Sequence, residues 1–354
     1  MVEIENNIPK ISVIMPVYNS AEFLHLAVES VRKQSFKDWE LLLVDDGSID
    51  ESGKLCDVYA EQDNRIRVFH QKNQGITKTR NRGIRESRAK YITFIDDDDE
   101  YAPDILEKTF SIAEEYGAEI VKFGYRVIED FPNGIKETRD NCSEKKLIVE
   151  KNSIGKLYRD IRKSGYFNMI WNGIYKRDLF NNGDLMFDEN VIMGYEDWIF
   201  NNKIYTIPDV QVIINYIGYI HYQRYQHSTS KKFHPNQIKA NVRAAESERK
   251  LIEKLNTEFG GNFEWISRAT DYFIDVLFLF ERKGCDYSYK EKAKVLKWTH
   301  SQKVFSVLKN RIDISKLPKQ RKMMTSLFAG EHYYSLLFLS KIYYKFIMWK
   351  KLKH

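Results

Sequence analysis

The sequence predicts an α/β protein with a mostly parallel central sheet, followed by a mainly α-helical C-terminal domain. Three observations predict it. Short apolar, β-branched runs alternate with helical patterns over residues 11–125, which is the mark of βαβ units. Acidic residues cluster just after several of those runs, where parallel sheets bind their ligands. Beyond residue 230, helical patterns continue with almost no strand signal.

The elements follow in order. Residues 11–17 read as a buried strand, nearly continuous in apolar side chains. Residues 21–34 place Phe23, Leu24, Ala27, Val28 and Val31 at helical spacing. Residues 39–44 form a second strand that runs into Asp45-Asp46-Gly47-Ser48. A helix over 50–62 takes Asp50 as its N-cap. A strand over 66–69, a helix over 75–87 and a strand over 91–95 follow. A helix over 102–116, starting near Pro103, precedes a strand over 118–125. Residues 126–150 read as a polar hairpin turning at Pro132-Asn133-Gly134. Further helices are expected over 198–205, 238–255, 263–280 and 289–308. The domains are therefore drawn as 1–230 and 231–354.

Composition narrows the class. The chain has 354 residues and is 43% hydrophobic, enough to bury a core. Cys56, Cys142 and Cys285 are far apart and form no C-x-x-C, so neither a zinc site nor a disulfide framework is expected. A reducing cytoplasm fits. Residues 1–10 hold no apolar h-region, and no run of 18 apolar residues occurs. The formal net charge of +6 hides an asymmetry. Residues 1–230 carry 30 basic and 38 acidic side chains, a net of −8, whereas residues 231–354 carry 26 and 12, a net of +14. The back half should favour anionic partners.

Asp96-Asp97-Asp98-Asp99 ends the strand over 91–95. Four adjacent carboxylates repel one another and suit a place where a divalent cation sits. Mg²⁺ or Mn²⁺ commonly takes one or two carboxylates and fills its shell with phosphate and water. Tyr18 and Asn19 follow the first strand and Asp45 and Asp46 the second. Three strand ends thus converge on one crevice.

Val13-Ile14-Met15-Pro16-Val17-Tyr18-Asn19, Val44-Asp45-Asp46-Gly47-Ser48, Asn73-Gln74-Gly75 with Thr79-Arg80-Asn81-Arg82-Gly83, and Phe94-Ile95 with the acid run closely resemble the inverting family-two glycosyltransferases. The likeness continues through Trp171-Asn172 to Gly194-Tyr195-Glu196-Asp197-Trp198 and covers residues 9–230. It implies a GT-A nucleotide-sugar-binding fold. It also implies roles by position. Pro16, Val17, Tyr18 and Asn19 would cradle the nucleotide base and ribose, and Asp46 would accept a hydrogen bond from uracil. Gly75 and Arg80 would lie in the segment closing over the donor. Asp96 and Asp98 would be the ends of a DxD metal motif, with Asp98 the direct ligand, Asp96 nearer the ribose and Asp97 between them. Asp197 would be the general base with Glu196 beside it. Trp171 and Asn172 would lie on the acceptor side. Relatives carry Tyr-Tyr-Arg before Ser-x-Ser, against Tyr222-Gln223-Arg224 and Ser228-Thr229-Ser230 here, so that Arg224 is displaced by one position when Ser228 is kept in register.

The implied chemistry is transfer of a hexose or N-acetylhexosamine from a nucleotide sugar, of the UDP type, to a glycan hydroxyl. A Mn²⁺ or Mg²⁺ would neutralise the diphosphate leaving group, and a carboxylate would take the hydroxyl proton. Inversion would give a β-linkage from an α-linked donor. Related bacterial enzymes act on lipid-linked glycans of capsule, O-antigen or other surface polysaccharides. The plainer readings are local: Asp46 as turn or cap, Glu196-Asp197 as an N-cap pair, Trp171 as core, Arg80 as a solvated face, His221 and His227 as packing residues.

Two alternatives belong to other classes. A phosphatase of the haloacid dehalogenase type also uses D-x-D, but its nucleophile follows the first strand. A non-catalytic nucleotide-sugar binding module would not need Asp46, Asp98 and Asp197 together. No G-x-G-x-x-G follows the first strand, and no nucleic-acid module is visible. Finally, residues 331–353 alternate Tyr, Leu, Phe, Ile and Trp with lysines. Such a basic helix suits the inner leaflet of a membrane, so the expected location is cytoplasmic and peripheral to the membrane's cytoplasmic face.

Overall fold

The computed structural model describes residues 8–131, 134, 136–181, 185–224 and 232–351. The chain divides into two compact units, Met1–Ile192 with Glu196–His227, and Met193–Tyr195 with Ser228–His354.

The first unit opens with β1 (Ile11–Val17), α1 (Leu24–Arg32), β2 (Trp39–Asp45), α2 (Ser52–Gln62), β3 (Ile66–His70), α3 (Ile76–Glu86) and β4 (Tyr91–Phe94). It continues through β5 (Glu100–Tyr101), α4 (Ile105–Tyr116), β6 (Ile120–Asp130), β7 (Lys136–Asn141) and β8 (Leu147–Glu150). Then come α5 (Ile154–Ser164), β9 (Gly173–Lys176), α6 (Glu196–Ile204) and β10 (Val210–Arg224). The strands form one sheet in the order β3-β2-β1-β4-β9-β6-β10-β5, with β7 on β6 and β8 on β10. The half from β3 to β4 is parallel. Beyond β4 the sheet is mixed, because β9 runs antiparallel to both β4 and β6 while β10 runs parallel to β6.

Every residue of β1 and β2 is buried, as strands covered on both faces must be. This is why they read as apolar runs. Gly83 lets α3 lie close on β1, since a Cβ there would overlap the side chain of Ile14. The hairpin expected over 126–150 is the β6–β7 pair, although Pro132 and Asn133 lie outside the described residues. The 15-residue β10 has no counterpart in the sequence-based expectation. Its pairing with β6 shifts register between Ile213 and Tyr219, which interrupts the alternation that would have marked it.

Two local expectations are corrected. Asp50 is not the N-cap of α2, because Glu51 takes that position; Asp50 instead accepts the Ser52 and Ala21 amides at 3.0 and 3.1 Å. Glu196 and Asp197 are not a cap preceding their helix but its first residues.

The second unit contains α7 (Asn236–Glu258), α8 (Trp265–Leu279), α9 (Tyr289–Ser301), α10 (Arg311–Ser315), α11 (Lys319–Ala329) and α12 (Tyr333–Lys351). The helix expected over 289–308 stops at Ser301 and gives way to a 3₁₀ segment, Lys303–Lys309. A reciprocal Ser288–Glu291 capping box starts α9. Among the described residues no helix is long and apolar enough to cross a membrane.

Candidate active site

The carboxyl ends of β1, β2 and β4 meet, as adjacent parallel strands must. After β1, the Tyr18 amide donates to Asp97 Oδ2 at 2.9 Å. Asn19 takes the left-handed conformation (φ 51°) and its Oδ1 accepts the Ile49 amide. Pro16 and Val17 are buried within β1, whereas Tyr18 is half exposed. The backbone around them thus reaches the crevice, and of these four Tyr18 and Asn19 are exposed.

Asp46 is buried and binds three donors: Gln71 Nε2 at 2.7 Å and the Gln74 and Gly75 amides at 2.9 and 2.8 Å. It therefore holds the loop into α3, where Gly75 sits at φ 89°, a conformation suited to glycine. A carboxylate has roughly four acceptor positions, so Asp46 keeps capacity for one more donor.

Arg80 is the hub of the site. Its Nη1 donates to Asp197 Oδ1 at 2.6 Å and lies 3.5 Å from Glu196 Oε1, while Nη2 donates to Asp96 Oδ1 at 3.2 Å. At 4% exposure it is no solvated helix face. Against its burial, Asp197, Asp96 and Glu196 push the guanidinium further towards the charged form. Burial also pushes the Asp197 carboxyl up, to about 7, with Arg80 opposing and Glu196 and Asp96 adding. Asp197 Oδ2 faces the Ile170 amide at 3.4 Å. Among the described residues two buried atoms here, Arg80 Nε and Glu196 Oε2, have no hydrogen-bond partner, whereas ordinary interiors pair such groups.

The four acids separate into different tasks. Asp99 is fully buried and accepts from Tyr219 Oη, His221 Nδ1 and the Tyr222 amide at 2.9, 2.9 and 2.8 Å. It ties the end of β4 to β10. Asp98 keeps 40% of its side chain exposed and is met by Arg224, whose Nη1 lies 2.7 Å from its carbonyl and 3.2 Å from Oδ2. Burial, then Asp99, Asp97 and Asp96, pushes the Asp98 carboxyl up to about 8. Among the described residues no three His, Cys, Asp or Glu side chains converge as a metal cage. Mg²⁺ and Mn²⁺ do not need one where phosphate completes the shell, and the open Asp98 carboxylate, destabilised by its neighbours, is a donor of the fitting kind. His227 and Ser228 to Ser230 lie outside the described residues.

Trp171 and Asn172 lie beneath the site, not at its surface. Trp171 is buried, stacked on Tyr219 at 4.1 Å between ring centroids and edge-on to Tyr125 at 4.9 Å. Asn172 is fully buried and donates to the Phe123 and Tyr166 carbonyls. Neither side chain offers a surface to an acceptor; both support the segment that faces Asp197.

Sequence reasoning missed Lys122. It is fully buried in β6. Its Nζ donates to the Met169 carbonyl at 2.8 Å, Asn172 Oδ1 at 3.1 Å and Tyr175 Oη at 2.8 Å. Tyr175 Oη itself donates to the Ile170 carbonyl, so all three partners accept from an ammonium. Lys122 thus fixes residues 169–172, which carry the amide beside Asp197. The one available signal was a lone lysine within the apolar run Ile120-Val121-Lys122-Phe123.

A cavity of about 390 Å³ is lined by Gln71, Gln74, Lys78, Arg82, Arg85 and Glu189, among others. It touches the Asp46 loop but includes none of Asp96, Asp98 and Asp197. It is not where the carboxylates meet.

Residues 12–183 match the model of Glycosyl transferase family 2. The chain is 32% identical over 200 residues to the uncharacterized glycosyltransferase EpsJ of Bacillus subtilis, covering 55% of each. It is 40% identical over 116 residues to glycosyltransferase GlyG of Streptococcus pneumoniae, covering 32% of this chain and 38% of that one. The chain therefore spans about half or less of the length of these relatives. Its fold is similar to S. aureus TarS 1-349 solved with UDP-GlcNAc, with a TM-score of 0.66 and 16% identity over 95% of this chain and 92% of that one. Residues 12–183, just under half of the chain, thus match glycosyl transferase family 2, and the chain has the GT-A fold.

Proposed function

We propose that this chain transfers a hexose or N-acetylhexosamine from a UDP-sugar to a hydroxyl of a glycan, with inversion at the anomeric carbon. The observation that carries the reading is the meeting of Arg80 with Asp96 on one side and Asp197 on the other. That arrangement links the strand-end acids, suited to a diphosphate, to a separate carboxylate suited to a hydroxyl. The TarS complex with UDP-GlcNAc supports the donor class through the shared fold.

The residues act as follows. The β1 end and the Asp46 loop hold the nucleotide, with Asp46 taking a further donor from the base. Asp197 accepts the proton of the acceptor hydroxyl as the new C–O bond forms, a role within the reach of a carboxylate. Arg80 orients Asp197 and favours its ionised form against the effect of burial. Asp98, with Asp96 beside it, would hold a Mg²⁺ or Mn²⁺, whose chemistry is to neutralise charge on the departing diphosphate. The acceptor is a lipid-linked glycan of a surface polysaccharide, met at the cytoplasmic face of the membrane.

Titration calorimetry with UDP-GlcNAc and other nucleotide sugars, with and without Mn²⁺, tests the donor class. Metal-dependent binding of one UDP-sugar is expected, weakened by Asp98→Asn. A folded sample that binds no nucleotide sugar under any of these conditions would overturn the reading.

A further inference from the structure

The helix α12 carries two apolar faces. One is packed: Tyr333, Leu336, Leu337 and Ser340 are buried against α8, α9 and α11. The other is open. Tyr334, Phe338, Ile342 and Phe346 follow one another every four residues and are 60, 61, 53 and 46% exposed. At 3.6 residues per turn these four, together with exposed Lys341 and Lys345, share one arc of roughly 140°. A surface helix of a globular unit needs one apolar face and turns a polar one outward. This helix has satisfied its own unit and still shows four large apolar side chains in a row.

We infer that this outer face of α12 docks on an anionic lipid surface, lying in the plane of the headgroups. Charge decides between occupants. Residues 333–351 contain four lysines and no acid. Lysine is depleted from the cores of protein interfaces, whereas at a bilayer its stem lies along the acyl boundary and its ammonium reaches the phosphates. Lys341 and Lys345 flank Tyr334 on the same arc, so aromatic anchors and cations enter together. The helix is not apolar enough to span, which leaves the interfacial mode. The inference deepens the proposed lipid-linked acceptor by naming the surface that would bring the enzyme to it, and it rests on that reading only for its purpose.

The test is co-sedimentation of the full chain with vesicles of phosphatidylcholine alone or mixed with phosphatidylglycerol. Binding to the mixed vesicles is expected, weakened by salt. Phe338→Glu with Ile342→Glu should reduce it by about tenfold or more, and Lys341→Gln with Lys345→Gln should reduce it by a similar factor. All four positions are exposed, so thermal melting should match the parent chain; UDP-GlcNAc binding, measured in parallel, reports the donor site separately. No binding to mixed vesicles, equal binding to both vesicle types, or full binding by the folded Glu variant would overturn the inference. So would a concentration-dependent dimer in light scattering that the Glu variant abolishes while vesicle binding persists, since the face would then belong to a second copy.

Discussion

Arg80 and Asp197, 117 positions apart in the chain, meet at 2.6 Å through Nη1 and Oδ1. The contact joins α3, packed on the parallel half of the sheet, to the first turn of α6. It places a fixed positive charge on one oxygen of the proposed base and leaves the other beside the Ile170 amide.

Asp197→Asn should preserve that geometry while removing the base. An amide oxygen can still accept from Arg80. Transfer should fall by about 10²-fold or more, with UDP-sugar affinity nearly unchanged. Turnover near the parent value would remove Asp197 from the mechanism.

Arg80→Ala should behave differently. It leaves Asp197, Asp96 and Glu196 crowded without their cation. Breaking a buried ion pair from one side costs about 3–5 kcal/mol, so urea denaturation should show a large loss of stability as well as of activity. A variant as stable as the parent would mean that solvent, not Arg80, balances these acids.

Asp46→Ala should loosen the loop into α3. Gln71 and the Gln74 and Gly75 amides all lose their acceptor. The expected destabilisation is about 1–3 kcal/mol, accompanied by weaker UDP binding in calorimetry. Intact UDP affinity in a folded variant would confine Asp46 to a structural part.

Lys122 makes a pH prediction. Burial pulls its ammonium down to about 7 from 10.5, with Asp197 pulling the other way. Between those values the unfolded chain binds more protons than the folded one, so this group's contribution to stability rises with pH through that window and is level below it. Lys122→Met leaves three acceptors unmatched and should be less stable throughout, and it should lack this rise. The gap between parent and variant in chemical denaturation should therefore widen from below pH 7 to about pH 10. A constant gap would show that the ammonium is held as firmly as an exposed one.

The parallel half of the sheet was legible in the sequence for a physical reason. Strands such as β1 and β2 are buried on both faces and carry apolar side chains almost without interruption, so the acids at their ends stand out. Asp46, Arg80, Asp96 and Asp197 were legible as candidates through motif spacing. That Arg80 binds both Asp96 and Asp197 was not, because nothing near residue 80 records where α6 will lie. The same holds for Asp99, read only as the last of four acids after β4 but bound to Tyr219, His221 and Tyr222. Trp171 and Asn172 were placed on the acceptor side, yet their environment is set by Tyr219 and Lys122, on strands distant in sequence.

The Asp99 contacts also bear on the order in which the chain is made. Tyr222 emerges from the ribosome 123 residues after Asp99. The β3-β2-β1-β4 half can form from the first hundred residues, through βαβ units of short range. Its acid run then waits, without the donors of β10, for more than a third of the chain. Long-range pairings of this kind form slowly, so β6, the strand that receives β10, is an edge the nascent chain must keep from mispairing, and the carboxylate cluster is expected to be completed late in the folding of this unit.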